Sequence, residues 1–433
     1  MLDVTLPNAW QARPHQEKLW HYLDAGGKRA VAVWHRRAGK DSTAINWTAV
    51  AAHQRIGTYW HMLPTATQGR RVAWEGRDGQ GRRLIDQAFP RELRTATRGE
   101  RMTLELQCGS VWQVVGSDNY DRLVGANPVG VVFSEWSLTD PRAWDYVRPI
   151  LAENGGWAVF IYTPRGKNHG FELYDLARHR GDWFAECLTV EATGILTPET
   201  VAEERVSGMS EALIRQEYYC SFEAANEGSY YGKLLEEAEQ AGRVTKVPAQ
   251  PELAVDTWWD LGIGDSTAIW FCQRAGLELH LIDYYECSGE GLAHYAKVLQ
   301  ERGYVYGTHW APHDIAAREL GTGKSRQEVA RGLGLNFRIA PRLPVEDGIE
   351  AVRNLLPRCW FDAEKCRQGL RALKSYHRDY NDRRQAYLPH PVHDWASHGS
   401  DAFRTGAVTV REMRSGAATE RGSHRRNGSF MSR

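Results

Sequence analysis

The segment VAVWHRRAGKDS (31–42) sets a glycine and a lysine, Gly39 and Lys40, between an apolar run and a stretch with helical spacing. A chain can grip phosphate at such a place, because a helix N-terminus offers unpaired N–H groups and the positive end of its dipole. Gly39, with Ala38 before it, lets the backbone approach phosphate oxygens, and Lys40 supplies a charge for the β and γ positions. Arg36 and Arg37 precede them, and a guanidinium beside a γ-phosphate spreads the charge of phosphoryl transfer. The segment departs twice from G-x-x-x-x-G-K-[ST]: Trp34 replaces the first glycine and Asp41 the metal-binding hydroxyl. A glycine–lysine pair after a strand is a weak sign alone, since an ordinary strand–helix turn can carry the same letters.

A nucleotide site needs acids on a second strand. VGVVFSEW (129–136) ends an apolar run in Glu135, suited to polarise an attacking water, with Ser134 where a metal-binding aspartate is usual. The departures at 41 and 134 read as one exchange: hydroxyl plus carboxylate recur as Asp41 plus Ser134, with charge around the metal conserved. If Asp41 turns away from the ion, Ser42 is the alternative hydroxyl ligand.

A third group of acids lies downstream. Two-metal phosphodiester hydrolysis needs carboxylates from separate elements around ions about 3.5–4 Å apart. Asp260 closes the run TWWD, Asp314 follows GTHWAPHD, and Asp401 sits in ASHGSDAFRTGAVTV, which reads as a final helix. Each alone reads most simply as a cap or turn residue; three at strand 1, strand 4 and the last helix are what an RNase H-like enzyme requires. Asp265 is either a fourth metal-shell acid or a hairpin turn. His313, His393, Asp394 and His398 crowd the same region with no cysteine near, so zinc is not expected.

The elements that must position these groups follow from periodicity. Strands are expected at 29–35, 57–63, 129–136 and 157–163, helices at 40–53 and 141–153, a long polar helical stretch towards Phe89, and a hairpin at 102–107 and 110–115. Alternation of this kind predicts a mostly parallel α/β sheet. Three strands at 254–260, 266–273 and 277–287, then a helix at 289–302 and a strand ending near Ala311, open the second sheet. The expected organisation is an ATPase domain over 1–222, a helical connector and linker over 223–250, a nuclease domain over 251–411, and a basic flexible tail over 412–433.

Composition is that of a soluble globular chain: 433 residues, 42% hydrophobic and 25% charged. No apolar run approaches the roughly 18–20 residues of a membrane span, and MLDVTLPNAW has no export signal. Seven cysteines form no C-x-x-C pair, consistent with reduced thiols in a cytoplasm. The charge sum is zero, with 54 basic and 54 acidic residues; local patches, not the sum, decide attraction to nucleic acid. Most of the 17 tryptophans are expected in the core.

HRRAGKD, VFSEWS and the strand end YTPRG (162–166), in that order, resemble the large terminase subunits of tailed double-stranded DNA bacteriophages. The resemblance covers about residues 10–410, and the SH-x-x-DA-x-R pattern around Asp401 is the more specific of its nuclease motifs. It implies a P-loop NTPase domain followed by an RNase H-like α/β nuclease domain, an ATP- and Mg²⁺-dependent motor, and a concatemer-cutting nuclease in which Mn²⁺ can substitute. RPHQ resembles the family's Q-motif, making Gln16 the adenine reader, and Thr163 would belong to the coupling motif. An arginine supplied by a neighbouring subunit is also implied, with Arg122 as candidate and Arg70 and Arg71 as rivals. Implied partners are double-stranded DNA, the portal protein of a procapsid, a small terminase subunit and further copies in a ring, all in the host cytoplasm and none in a membrane. Two alternatives stand beside this reading. One is a helicase- or repair-type ATPase–nuclease, whose strand-separating motifs are not found downstream of YTPRG. The other is a DNA-binding assembly protein with degenerate sites.

Overall fold

Apolar runs rich in valine, isoleucine and tryptophan become the centres of two separate sheets. The computed structural model describes residues 10–118, 120, 125–223, 228–262, 266–317, 324–381 and 386–410. The chain divides into two units, Met1–Gly232 with Lys374–Trp395 and Lys233–Leu373 with Ala396–Arg433. The expected connector 223–250 is thus split at 232, and the expected basic tail falls outside the described residues. Among these residues no helix is long and apolar enough to cross a membrane.

The first unit is built on eight strands: β1 (Arg29–Trp34), β2 (Thr58–Leu63), β3 (Arg94–Arg98), β4 (Thr103–Leu106), β5 (Val111–Gly116), β6 (Pro128–Ser134), β7 (Trp157–Tyr162) and β8 (Phe184–Leu188). Their order is β3-β4-β5-β2-β6-β7-β1-β8. From β5 to β8 all pairings are parallel; only β3–β4 and β4–β5 are antiparallel. The strands β1, β6 and β7 are buried almost throughout, which explains their near-continuous apolar sequence. Between β1 and the acidic strand β6 lies β7, so the glycine–lysine loop and Glu135 stand one strand apart at the same sheet end. This is the P-loop NTPase arrangement, with the loop at the carboxyl end of its strand.

The helix Lys40–Gln54 is buried on most of its surface. A helix apolar all round belongs inside, and here Ile45, Trp47, Ala49 and Ala52 pack into the core with Trp34 and Trp112.

The expected long helix towards Phe89 is not there. Short helical pieces at Ala66–Gly69, Arg70–Trp74 and Leu84–Ala88 replace it. Gly69, Gly76, Gly79 and Gly81 interrupt helical propensity, and the Arg77–Arg83 bridge bends the segment back on itself. Helices between 169 and 217, four among the described residues, are additions that periodicity does not announce.

The second unit carries β9 (Val244–Thr245), β10 (Val255–Leu261), β11 (Ser266–Ala275), β12 (Glu278–Ser288), β13 (Tyr306–Ala311), β14 (Phe337–Ile339) and β15 (Cys359–Asp362), in the order β14-β13-β10-β11-β12-β15-β9. The pairs β10–β11 and β11–β12 are antiparallel, while β13 and β14 join parallel on the other side of β10. Counting from β10, the order is 3-2-1-4-5 with the second strand reversed, the RNase H-like order. A two-stranded sheet, β16 (Arg378–Asn381) and β17 (Ala386–Pro391), belongs to the first unit.

Candidate nucleotide and nuclease sites

In the first unit the loop 35–39 leaves β1 and turns sharply. Arg37 (φ 71°) and Gly39 (φ 80°) both take left-handed backbone, a conformation that glycine adopts freely and arginine does not. The loop is tied down by neighbours. The His35 N–H donates to Leu188 O at 3.0 Å and the Arg36 N–H to Glu217 O at 2.8 Å. Ala38 O accepts Gln16 Nε2 at 3.0 Å and lies 2.9 Å from His15 Nε2. Gln16 Oε1 also accepts the Arg13 N–H at 3.0 Å, so the amide expected to read adenine ties the loop to the segment before the first helix.

Lys40 is 8% exposed. Its ammonium donates to Trp34 O at 3.0 Å, His35 O at 3.2 Å and Thr163 Oγ1 at 3.0 Å. Thr163, one residue past β7, also donates to Trp34 O at 3.3 Å, so lysine and threonine share an acceptor. All three acceptors are neutral, and a phosphate oxygen would offer the ammonium a stronger, charge-assisted bond.

Asp41 and Ser134, the exchanged pair, meet. Ser134 Oγ donates to Asp41 Oδ1 at 2.6 Å, and His61 Nε2, from β2, lies 3.0 Å from the same oxygen. Burial would raise the Asp41 carboxyl; the contacts with His61 and Ser134 and the Lys40 charge outweigh it and hold the group below its ordinary value. Ser42 follows half-buried on the same helical turn.

Glu135, one residue past β6, takes left-handed backbone, φ 53° and ψ 45°, a conformation that costs a bulky residue on the order of 1–3 kcal/mol. Its Oε2 is buried without a hydrogen-bond partner. Burial pushes the carboxyl above the usual range, opposed by Lys40 and Arg165 and reinforced by Asp41 and Glu217. A strained, desolvated carboxylate beside a lysine is suited to take a proton.

Of the arginines considered, Arg37 is exposed, Arg70 donates to Gly99 O and Glu100 O at 3.1 Å, and Arg71 is exposed. Arg122 lies outside the described residues. Three residues that the sequence motifs leave without a role belong to this site. His61 is visible only as a lone histidine in the apolar strand TYWHML, and Arg165 stands within YTPRG with nothing to mark its use. Glu217 lies in a helix that periodicity does not announce.

In the second unit Asp260 and Asp314 share one end of the sheet. Asp260, next to last in β10, pairs across to Ala268. Its Oδ2 lies 3.3 Å from His398 Nδ1, on the helix Trp395–Ala407. Asp401 stands one turn further along that helix, with Oδ1 3.2 Å from Arg404. Asp314 is exposed in the short turn His313–Ala316, just past β13. The parallel β10–β13 pairing, Trp258 against Trp310, brings that turn to the same end as Asp260.

Close packing sets the helix in place. Trp258 and Trp270 meet Phe403 edge-on at 5.2 Å, and Trp270 Nε1 donates to Gly399 O at 2.8 Å. At Gly406 a Cβ would fall 1.8 Å from the Trp258 ring, so only glycine permits this approach. Glu286 stands level with Asp260 two strands away, through Ala268, and accepts Tyr284 OH at 2.5 Å and Gln368 Nε2 at 3.2 Å.

Among the described residues no three His, Cys, Asp or Glu side chains converge closely enough to hold a metal ion. Asp260 and Asp314 lie at one sheet end, and Asp401 lies one helical turn from the His398 that meets Asp260; they are not a formed ligand sphere. Like charges resist closer approach without a compensating cation, and three carboxylates are the hard oxygen donors that suit Mg²⁺ or Mn²⁺. His393 is exposed, and His398 Nδ1 stands 3.3 Å from Asp260 Oδ2. Asp265 lies outside the described residues.

No family model and no curated relative matches the sequence. Solved structures do. The large terminase of a thermophilic bacteriophage in complex with ADP is 15% identical over 93% of this chain and 96% of its own, at a TM-score of 0.39. The large terminase ATPase domain of Thermus phage P74-26 is 20% identical over 45% of this chain and 89% of its own, at 0.40. The large terminase nuclease of thermophilic phage G20c with bound cobalt is 13% identical over 43% of this chain and 98% of its own, at 0.30. Likeness at this level assigns no residue of this chain a role.

Proposed function

We propose that this chain is the large terminase subunit of a tailed double-stranded DNA phage, a motor that hydrolyses ATP to move DNA into a procapsid and a nuclease that cuts concatemers. One observation carries the reading: a glycine–lysine strand–loop–helix junction of P-loop order and an RNase H-like sheet bearing Asp260, with Asp314 just past β13, stand on one chain, in that order. Low-identity neighbours agree with it but do not bear its weight.

Lys40 and the N–H groups at the start of helix Lys40–Gln54 would hold the β- and γ-phosphates, flanked by Arg36 and Arg37. Asp41 and Ser134 would hold Mg²⁺, with Ser42 beside them, and the ion would neutralise phosphate charge. Glu135 would take the proton of the attacking water. The bond between Lys40 and Thr163 gives loss of the γ-phosphate a direct route to the end of β7, which is what a coupling residue needs. In the second unit Asp260, Asp314 and Asp401 would hold Mg²⁺ or Mn²⁺, which would polarise the scissile phosphate; His398 would orient Asp260. Portal, small subunit, ring assembly and a cytoplasmic site of action belong to the same proposal.

Trp34, Asp41 and Ser134 motivate a second reading, an assembly protein without turnover. One assay separates the two. With purified chain, Lys40→Ala should cut DNA-stimulated ATP hydrolysis at least about 100-fold and leave plasmid cleavage in Mn²⁺ intact, while Asp401→Ala does the reverse. ATP hydrolysis unchanged in Lys40→Ala, or absent from the wild-type chain, overturns the motor.

A further inference from the structure

We propose that Arg165 is a further arginine that this chain brings to the triphosphate, and that the buried Glu217 is its positioning residue. The inference rests on the ATPase reading above and adds a residue pair that the phosphate-loop pattern does not contain.

Arg165 leaves the sheet at the loop, two residues after Thr163, whose hydroxyl accepts the Lys40 ammonium. Its guanidinium donates to Glu217 Oε1 and is 31% exposed, so a ligand can reach it. Its charge also acts on Glu135, countering the burial that raises that carboxyl. Lys40, Glu135, Arg165 and Glu217 therefore occupy one electrostatic neighbourhood.

Glu217 is 3% exposed and ends the helix Glu211–Glu217. Burial would raise its carboxyl; Arg165 outweighs this, helped by Gln216 and Arg36, and holds it below the ordinary range. Gln216 Nε2 donates to Oε1 at 2.8 Å, and Arg36 Nη1 stands 3.9 Å from Oε2. The same residue's backbone carbonyl takes the Arg36 N–H. A single buried anion thus grips two arginines that flank the loop, one through its side chain and one through side chain and backbone together.

Burying a carboxylate is costly unless it is paired, and a phosphate site is an unexpected place for one. The cations explain it. Lys40, Arg36 and Arg165 repel each other when gathered at one loop, and Glu217, with its one negative charge shared between two of them, eases that repulsion and holds the guanidinium groups beside the site. A γ-phosphate, with more charge and a geometry that fits the guanidinium fork, competes for Arg165 where a β-phosphate terminus does not reach. Arg165 then passes from Glu217 to the nucleotide, and the helix Glu211–Glu217 keeps only its Arg36 contacts to the loop, as a function of nucleotide state. The alternative is that Glu217 is a staple that only holds that helix to the loop. A staple acts alike on ATP and ADP; an exchanging arginine does not.

The test uses the full chain with DNA, comparing Arg165→Ala, Arg165→Lys, Glu217→Gln and Lys40→Ala. ATP kcat and KM are measured together with equilibrium affinity for ADP and for a non-hydrolysable ATP analogue. Arg165→Ala should lower kcat about 100–1000-fold, the range for removing one charge-stabilising donor. Arg165→Lys should recover little of this, because an ammonium lacks the two-pronged fork. Glu217→Gln should lower kcat about tenfold, and ADP affinity should stay within about threefold of wild type in these three variants, since ADP lacks the γ-phosphate. If Glu217→Gln does not fold, the two Arg165 variants still decide the question. Wild-type kcat in Arg165→Ala overturns the proposal, as does equal weakening of ADP and the ATP analogue. If Lys40→Ala also turns over normally, the ATPase reading itself fails and takes the proposal with it; if Lys40→Ala is inactive and Arg165→Ala is not, only the assignment of Arg165 falls.

Discussion

The two units hold their polar groups in opposite ways. In the first, the groups are already joined: Lys40 to Thr163, Asp41 to Ser134 and His61, Arg165 to Glu217. In the second, Asp260 touches His398, while Asp401 turns to Arg404 and Asp314 stands exposed in its turn. The difference lies in charge. A phosphate loop mixes cations, carboxylates and backbone dipoles on adjacent strand ends, so its members attract one another before any ligand arrives. In the second unit Asp260 and Asp401 are each held by a basic side chain of the last helix and not by one another. There the precision resides in the apolar layer beneath, where Trp258, Trp270 and Phe403 lock the last helix to the sheet.

The largest expected effect separates the chemistries. Glu135→Gln should lower ATP hydrolysis about 10²–10⁴-fold, the usual contribution of a general base, and leave DNA cleavage at the wild-type rate. Residual ATPase above about a tenth of wild type would mean that the strained carboxylate is structural. The next sharpens the claim that the first site is pre-joined. Asp41→Ser and Ser134→Asp should each cost about 10–100-fold in kcat, as loss of a ligand-orienting contact does. The double variant, which restores one hydroxyl and one carboxylate across the same contact, should recover most of it. Additive losses in the double variant would show that the two positions do not share an ion.

The smallest effect asks whether the units differ in acid tolerance, and here they should not. Burial lowers His35 in the first unit and His309 in the second to about 4. Because each folded value lies below the unfolded 6.5, the unfolded chain binds the proton more tightly. The stability is present above pH 6.5 and is lost as pH falls towards 4. Each histidine should cost its unit about 2 kcal/mol between about pH 7 and pH 5. Urea unfolding of His309→Gln should show a flatter pH dependence in the second unit's transition alone; an unchanged slope would place His309 outside this account.

Much of the site was readable because its signals are local. A glycine and lysine after the apolar strand β1, a glutamate just past β6, and aspartates at strand ends each announce themselves within a short stretch of chain. The helices between 169 and 217 do not, since their apolar positions are few and their burial depends on packing against the rest of the unit. Glu217 was invisible for that reason, and Arg165 stayed without a role because its partner was. The polar stretch 66–89 misled in the other direction: helix-forming residues are plentiful there, but its glycines break the run into short turns.

By itself the chain's order of residues determined the two α/β units, the strand–loop–helix junction at Lys40 and the strand ends bearing Glu135 and Asp260, because alternation and punctuation act between near neighbours. Tertiary structure alone decided that Glu217 would grip Arg165 and that Asp260 would meet His398 across 138 residues. Those contacts follow from sheet order and helix packing, and no short stretch of sequence encodes which distant strand end lies alongside.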